Sequence, residues 1–276
     1  MAYIETPDGV PLYYEERGEG ETLLLVHGWT MNAEYWWQKN VETLADDHYV
    51  VTVDLRGHGL SGKTDENHTL EEYARDIRHF VQSLEFDDVT AVGWSMGAAV
   101  LLTYLDQFGS DRLRAVGFVD QSPRLLSEEN WEHPVFGGFT PEALEEVVET
   151  IQSARPDFAK QFISDMFADP PSAETVDEMY AETMKTPTSV ATAVLRDLVN
   201  SDRRDVVPEI DVPTLLLYGE QSEIYPSDVG AWMHDRISDS ELVMFSESGH
   251  VPFWEEPDAF NEAVSSFVEQ SSDRDA

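Results

Sequence analysis

Short apolar runs alternate with helical periodicities along this chain, and that alternation restricts its possible folds more than any other feature. Thr22-Leu23-Leu24-Leu25-Val26, Val89-Thr90-Ala91-Val92, Ala115-Val116-Gly117-Phe118-Val119 and Thr214-Leu215-Leu216-Leu217-Tyr218 are nearly continuous. Runs of this length and composition are strands covered on both faces. Val10–Glu15, Tyr49–Asp54 and Glu241–Phe245 read as three more. Helical patterns lie at about 70–84, 96–108, 228–237 and 258–268. The sequence therefore predicts a mostly parallel sheet of an α/β protein with helices on both faces. Ligands of such sheets gather at the carboxyl ends of the strands. The chain has 276 residues, 41% of them hydrophobic, enough for one well-filled domain with an insertion.

The alternation stops between Arg124 and Val206. No buried strand is legible there, and helical patterns dominate at about 141–154, 156–166, 173–184 and 189–199. Trp131, Phe136, Phe139, Phe158, Phe162, Met166 and Phe167 need burial, and a pocket roof would provide it. The expected organisation is a core of residues 1–123 and 206–276 with a helical cap, or lid, of residues 124–205.

Gly93-Trp94-Ser95-Met96-Gly97 joins one buried strand to the helical run Ala98-Ala99-Val100-Leu101-Leu102. A serine on so sharp a turn has its hydroxyl pushed outward, and glycines on either side relieve the clash of the reversing backbone. The Met96 N–H lies at a helix N-terminus, where an oxyanion can be received. His27-Gly28-Trp29 ends the Leu-rich strand, and its turn lets the Trp29 N–H face Ser95 as a second donor. The His27 backbone matters here more than its ring. Ser248-Gly249-His250 follows the last strand and supplies a general base, since imidazole titrates near neutrality. His58 sits in a turn, and His48, His68, His79, His133 and His234 lie in polar stretches where exposure is expected. No histidine pair has the spacing of a zinc site.

Together these motifs resemble the α/β-hydrolase fold family over almost the whole length. The shared text is His27-Gly28-Trp29, Asp54-Leu55-Arg56-Gly57-His58-Gly59, the serine turn, a variable cap after strand six and Ser248-Gly249-His250. The last motif and Gly93–Gly97 are similar to those of its esterase and cofactor-free haloperoxidase-like branch. The resemblance implies a central sheet of about eight strands and a serine nucleophile, Ser95, with His250 as base. It gives Asp54 and Arg56 a loop-organising role. It also implies no cofactor and no metal.

One departure concerns the acid. The family usually carries aspartate in a Gly-x-x-Asp-x-x-x-Pro frame after strand seven, which here reads Gly219-Glu220-Gln221-Ser222-Glu223-Ile224-Tyr225-Pro226. Serine cannot support an imidazolium as a carboxylate does. Asp120, ending strand six, is the expected replacement, because in the family's sheet strand six lies beside the serine-bearing strand, and adjacent strands are about 4.8 Å apart. Glu223 is the alternative, with Glu220 or a Ser–His dyad behind it. The implied chemistry is hydrolysis of a small-molecule carboxylic ester through an acyl-enzyme, with Trp29 and Met96 N–H groups as the oxyanion hole. Trp29, Trp94, Ile224 and Val251 are expected to contact an apolar acyl group, although Trp94 equally suits packing beneath the turn. Lactone hydrolysis, perhydrolysis, C–C bond cleavage and slow hydrolysis by a ligand receptor use the same apparatus.

Composition narrows the setting. The chain has no cysteine, hence no disulfide or thiolate nucleophile. No apolar run approaches the roughly 20 residues of a membrane span. Met1–Thr6 has neither a basic segment nor a hydrophobic stretch, so no signal peptide and a cytoplasmic location are expected. Fifty-five acidic residues oppose 17 basic ones, for a net charge of −38. A surface of that sign repels nucleic acid, and its even spread along the chain resembles the acidic shell of halophilic proteins. Concentrated salt screens such self-repulsion. The expected outcome is a higher thermal unfolding midpoint in molar KCl than in dilute buffer, and a midpoint equal or higher at low salt would overturn that reading.

Overall fold

Leu23, Leu24, Leu25 and Val26 show how the sheet is built. In the computed structural model, which describes residues 2–273, Leu24 and Val26 enter one core while Leu23 and Leu25 enter another. Successive side chains of a strand point to opposite faces, so a continuous apolar run requires cover on both. Eight strands form one sheet: β1 (Ala2–Glu5), β2 (Pro11–Arg17), β3 (Glu21–Val26), β4 (His48–Val53), β5 (Val89–Trp94), β6 (Leu113–Val119), β7 (Thr214–Gly219) and β8 (Ser240–Phe245). Their order is β1-β2-β4-β3-β5-β6-β7-β8. β2 is antiparallel to β1 and β4, and the strands from β4 to β8 run parallel. The sequence reading had no counterpart for β1, whose four residues are alternately half-buried and exposed on the sheet edge.

The helices divide between the two faces. Helices α1 (Glu34–Trp37) and α2 (Val41–Leu44) share a core with α9 (Pro252–Glu255) and α10 (Pro257–Asp273). The other face carries α3 (Leu70–Ser83), α4 (Met96–Phe108) and α8 (Asp228–His234). Between β6 and β7 lie α5 (Pro141–Asp165), α6 (Ala173–Thr183) and α7 (Thr188–Asn200). The two sequence patterns at 141–154 and 156–166 are one element with a break, where Ala154 leaves helical geometry at φ −140°, ψ 38° ahead of Pro156. A proline ring clashes with the preceding turn and removes one helical N–H. At this break Arg155 turns back to donate to Thr188 Oγ1 at 3.0 Å and to the Thr186 carbonyl at 2.5 Å. With a longer bond to the Thr183 carbonyl at 3.4 Å, that guanidinium joins all three inserted helices. Among the described residues no helix is long and apolar enough to cross a membrane.

Asp54 and Arg56 hold loops together, as the resemblance implies. Asp54 accepts from the Ala33 N–H at 2.8 Å and the Leu60 N–H at 2.7 Å. Buried Arg56 pairs with Asp76 at 2.5 Å, Asp8 at 2.9 Å and Glu72 at 3.3 Å, pinning the β1–β2 turn to α3. The three carboxylates thus gather around a cation of the chain itself.

The histidines correct one expectation. His48, His68 and His133 are buried rather than exposed: His48 bonds Ser265 Oγ through Nε2 at 2.7 Å, and the other two pack against aromatic rings. His68 lies edge-on to Tyr73 and bonds the Thr64 carbonyl, and His133 lies edge-on to Trp131 beside Asp228. His27 accepts the Leu55 N–H on Nε2 at 3.0 Å and lies 2.8 Å from the Gly28 carbonyl through Nδ1, so its proton resides on Nδ1. His58 is 5.1 Å from His27 between ring centroids. Burial pushes protonation of His27, His48, His58 and His68 below the ordinary imidazole range.

This depression has a definite sign. Below about pH 6.5 the unfolded chain protonates these rings while the folded chain resists, so their contribution is complete above that pH and declines below it. The stability advantage of the wild type over His58→Asn, read from urea midpoints in molar KCl, should therefore be smaller at pH 5.5 than at pH 7.5. An equal advantage at both pH values would show that His58 does not titrate in this way.

Candidate active site

The β5–α4 turn is shaped by close backbone packing. A Cβ at Gly97 would lie 2.3 Å from the Val26 carbonyl oxygen, and one at Gly93 would lie 2.5 Å from the Gly97 carbonyl. Glycine at both positions lets the turn fold on itself and press against the end of β3. Ser95 takes the strained geometry φ 51°, ψ −119°, which a non-glycine residue holds only where its surroundings fix it. Its N–H donates to the Val119 carbonyl at 2.9 Å. Met96 therefore begins α4 next to the Val26–His27 backbone, immediately before the Gly28–Trp29 turn.

Ser95 opens into a cavity of about 170 Å³. Trp29 and Ile224 line it, with Leu125, Phe139, Phe158 and Phe162 among the further walls. The Trp29 indole is fixed by donation from Nε1 to the Ala191 carbonyl at 2.9 Å and by the Phe162 ring, 5.4 Å away and nearly perpendicular. The helices between β6 and β7 thus share a wall with the serine. Phe136, exposed by 49%, stands in left-handed geometry (φ 54°) beside the same cavity. The polar pair Gln161–Asp165, bonded at 2.6 Å, lies on its exposed side.

Two other residues read as substrate contacts lie elsewhere. Trp94 is packed beneath the turn, 4.8 Å from Phe253 and 6.2 Å from Tyr35 between centroids, and donates from Nε1 to the His250 carbonyl at 2.8 Å. Its strand neighbour Ser95 takes the open side, so Trp94 takes the closed one. Val251 is wholly buried in the core shared with α10.

His250 Nδ1 lies 2.6 Å from Asp120 Oδ2, with both side chains buried. The contact assigns the proton to Nδ1 and leaves Nε2 as the basic nitrogen. Asp120 follows β6, bonds the Leu217 carbonyl through its N–H at 2.8 Å and turns inward at φ 44°. Glu223 is exposed, whereas Ser222, at the family's usual acid position, donates to Asp120 Oδ2 at 2.7 Å. The histidine loop is held by two carboxylates. Glu256 accepts from Ser248 Oγ at 2.6 Å, and Glu255 from the Gly249 N–H at 2.7 Å. Glu255 also accepts the Ala168 N–H at 2.9 Å, and the His250 N–H donates to the Met166 carbonyl at 2.7 Å. The end of α5 and the histidine loop are joined by these bonds.

Sequence reasoning missed Gln121 and Tyr225. Gln121 Nε2 donates to the Ser95 carbonyl at 2.9 Å. Tyr225 lines the cavity with its ring 5.5 Å from that of His250. The available signal was a phenol in the otherwise apolar triplet Ile224-Tyr225-Pro226.

A buried Asp–His pair beside a strained serine turn is an arrangement suited to acyl transfer. Esterases are among the proteins this chain resembles. A solved esterase from Exiguobacterium antarcticum superposes with a TM-score of 0.91 at 26% identity, covering 97% of this chain and 99% of that one. A bromoperoxidase from Bacillus anthracis, at 24% identity and a TM-score of 0.88 over 95% and 96% of the two chains, shares the fold. The pimeloyl-[acyl-carrier protein] methyl ester esterase of Vibrio atlanticus is 31% identical over 94% of this chain and 98% of its own length. The sequence profile of the alpha/beta hydrolase fold matches residues 21–257, and the chain belongs to that family.

Proposed function

We propose that this protein is a serine hydrolase that cleaves carboxylic esters with small to medium apolar acyl groups. The observation that carries this reading is the buried 2.6 Å contact of Asp120 with His250 beside a serine turn that opens into an apolar cavity. The esterase relatives support the reaction class. Ser95 attacks the ester carbonyl as His250 Nε2 takes its proton, and the oxyanion is received by the Trp29 and Met96 N–H groups. His250 then protonates the departing alcohol and activates water against the acyl-enzyme. Asp120 orients the ring and supports its charged form. Residues 124–205 act as the cap, and their apolar side chains hold the acyl group by removing its surface from water, at about 25 cal/mol per Å². The acidic composition suits a salt-rich cytoplasm.

Two experiments test the assignment. In molar KCl, a fluorophosphonate probe is expected to label Ser95, and turnover of a series of aryl esters is expected to rise with acyl length. Loss of both signals would leave a binding role in its place. For the acid, Asp120→Asn should lower kcat by about 10⁴-fold, with Glu223→Gln near wild type. Because Ser222 Oγ is only 2.7 Å from the Asp120 carboxylate, the double variant Asp120→Ser, Ser222→Asp should recover a large part of that loss. Near-full turnover by Asp120→Asn would refute the acid assignment.

A further inference from the structure

The loop after β7 brings a phenol to the nucleophile. Ser222 Oγ donates to Asp120 Oδ2 at 2.7 Å and accepts the Tyr225 N–H at 3.3 Å. The turn so closed points the Tyr225 side chain inward, where only 3% of the residue is exposed. Its ring lies 5.5 Å from the His250 ring, and it shares the cavity wall with Ser95. The phenol lies near enough to the Ser95 and Gln121 side chains for both to favour its ionised form, against the larger opposing effect of burial.

Gln121 bears on the direction of the phenol hydrogen. Its Oε1 accepts the Ser122 N–H at 2.8 Å, and its Nε2 uses one hydrogen on the Ser95 carbonyl at 2.9 Å. The second amide hydrogen remains available to the phenol oxygen, which leaves the phenol O–H able to donate into the cavity that Ser95 also lines. Burial and the nearby Asp120 charge hold phenol ionisation above its ordinary range, which keeps Tyr225 a donor at working pH. The sheet order β3-β5-β6-β7 sets Trp29 and Tyr225 on opposite sides of Ser95. The oxyanion donors occupy the Trp29 side. Tyr225 therefore occupies the side of His250, where the alkoxy oxygen departs and water enters.

Building on the ester-hydrolase reading, we propose that Tyr225 is a further catalytic residue, whose phenol O–H donates a hydrogen bond to the leaving oxygen of the ester. As the carbonyl C–O bond breaks, that oxygen receives from His250 Nε2 the proton taken from Ser95. The Tyr225 proton stays in place and offsets the negative charge that builds up before the transfer is complete. In the second half-reaction the same donor orients the attacking water, whose proton goes to His250. Tyr225 neither gains nor loses a proton over the cycle.

Help of this kind depends on how basic the leaving oxygen is. An ethoxide needs it, whereas a 4-nitrophenoxide carries little localised charge. The test compares ethyl and 4-nitrophenyl esters of one acyl group in molar KCl, using wild type and Tyr225→Phe. For Tyr225→Phe, kcat/KM on the ethyl ester should fall by about 10²-fold, as for loss of a donor to developing charge. The fall on the 4-nitrophenyl ester should be at least tenfold smaller, with fluorophosphonate labelling of Ser95 retained. A loss of equal size on both esters, or no loss on either, overturns the proposal. If Tyr225→Phe misfolds, Gln121→Met, which unseats the phenol without removing it, should give the same dependence on leaving group at smaller amplitude. Equal losses there also overturn it. Failure of the wild type on both esters is a different result, which removes the ester-hydrolase reading and this proposal together.

Discussion

The 2.6 Å contact of Asp120 Oδ2 with His250 Nδ1 organises the carboxyl end of the sheet. It joins segments 130 residues apart, and neither group can be left alone in so dry a place, because an unpaired buried charge costs several kcal/mol. The surroundings offset that cost through further bonds. Ser222 adds a hydroxyl donor to the same carboxylate oxygen. The imidazole lies between Trp94, 5.4 Å away, and Tyr225, 5.5 Å away, so its plane has little freedom. The backbone behind it is bound to Met166 and Glu255.

Those last bonds link the site to the inserted helices. Glu255 accepts from Gly249 on the histidine loop and from Ala168 just after α5. The carboxylate is half-buried, and burial raises its pKa against the pull of these N–H donors. Because α5 also supplies Phe158 and Phe162 to the cavity, the cavity wall and the loop that carries His250 share an anchor. A shift of the end of α5 would be felt at His250 through two short hydrogen bonds rather than through a long chain of contacts.

The sequence made some of this legible and hid the rest for physical reasons. The central strands β3 to β7 were readable because a strand buried on both faces must be apolar throughout; β2 and β8 kept apolar stretches although partly exposed, whereas β1, half exposed on an edge, offers only four residues. Ser95, His250 and Asp120 stood out because their local chemistry is demanding: a strained turn, an imidazole on a short glycine loop and a carboxylate at a strand end. Trp94 and Val251 were misplaced by the opposite inference, that a neighbour in sequence is a neighbour in the pocket. Alternation along β5 sends Trp94 to the closed side, and Val251 turns into the core ahead of α9. Gln121 and Tyr225 depend on the loops after β6 and β7 meeting over Ser95, and no local pattern encodes such a meeting. The burial of His48, His68 and His133 was hidden in the same way, since their sequence neighbours are polar and their packing partners are mostly supplied by the fold.

Charge and cavity follow opposite rules in this molecule, and the contrast bears on what the cavity can hold. The chain as a whole carries −38, yet the cavity wall is apolar except at two places. One is the inner end, where Ser95 and Tyr225 meet; the other is the exposed Gln161–Asp165 pair. Between them Phe158, Phe162, Leu195 and Leu198 present only hydrocarbon. An apolar chain placed there gains from every Å² it hides. A chain ending in a carboxylate would give up hydration along the same wall and meet the Asp165 carboxylate, with no lysine or arginine among the lining residues to receive it. The same two polar ends thus favour a neutral apolar ligand held by area over an anionic one.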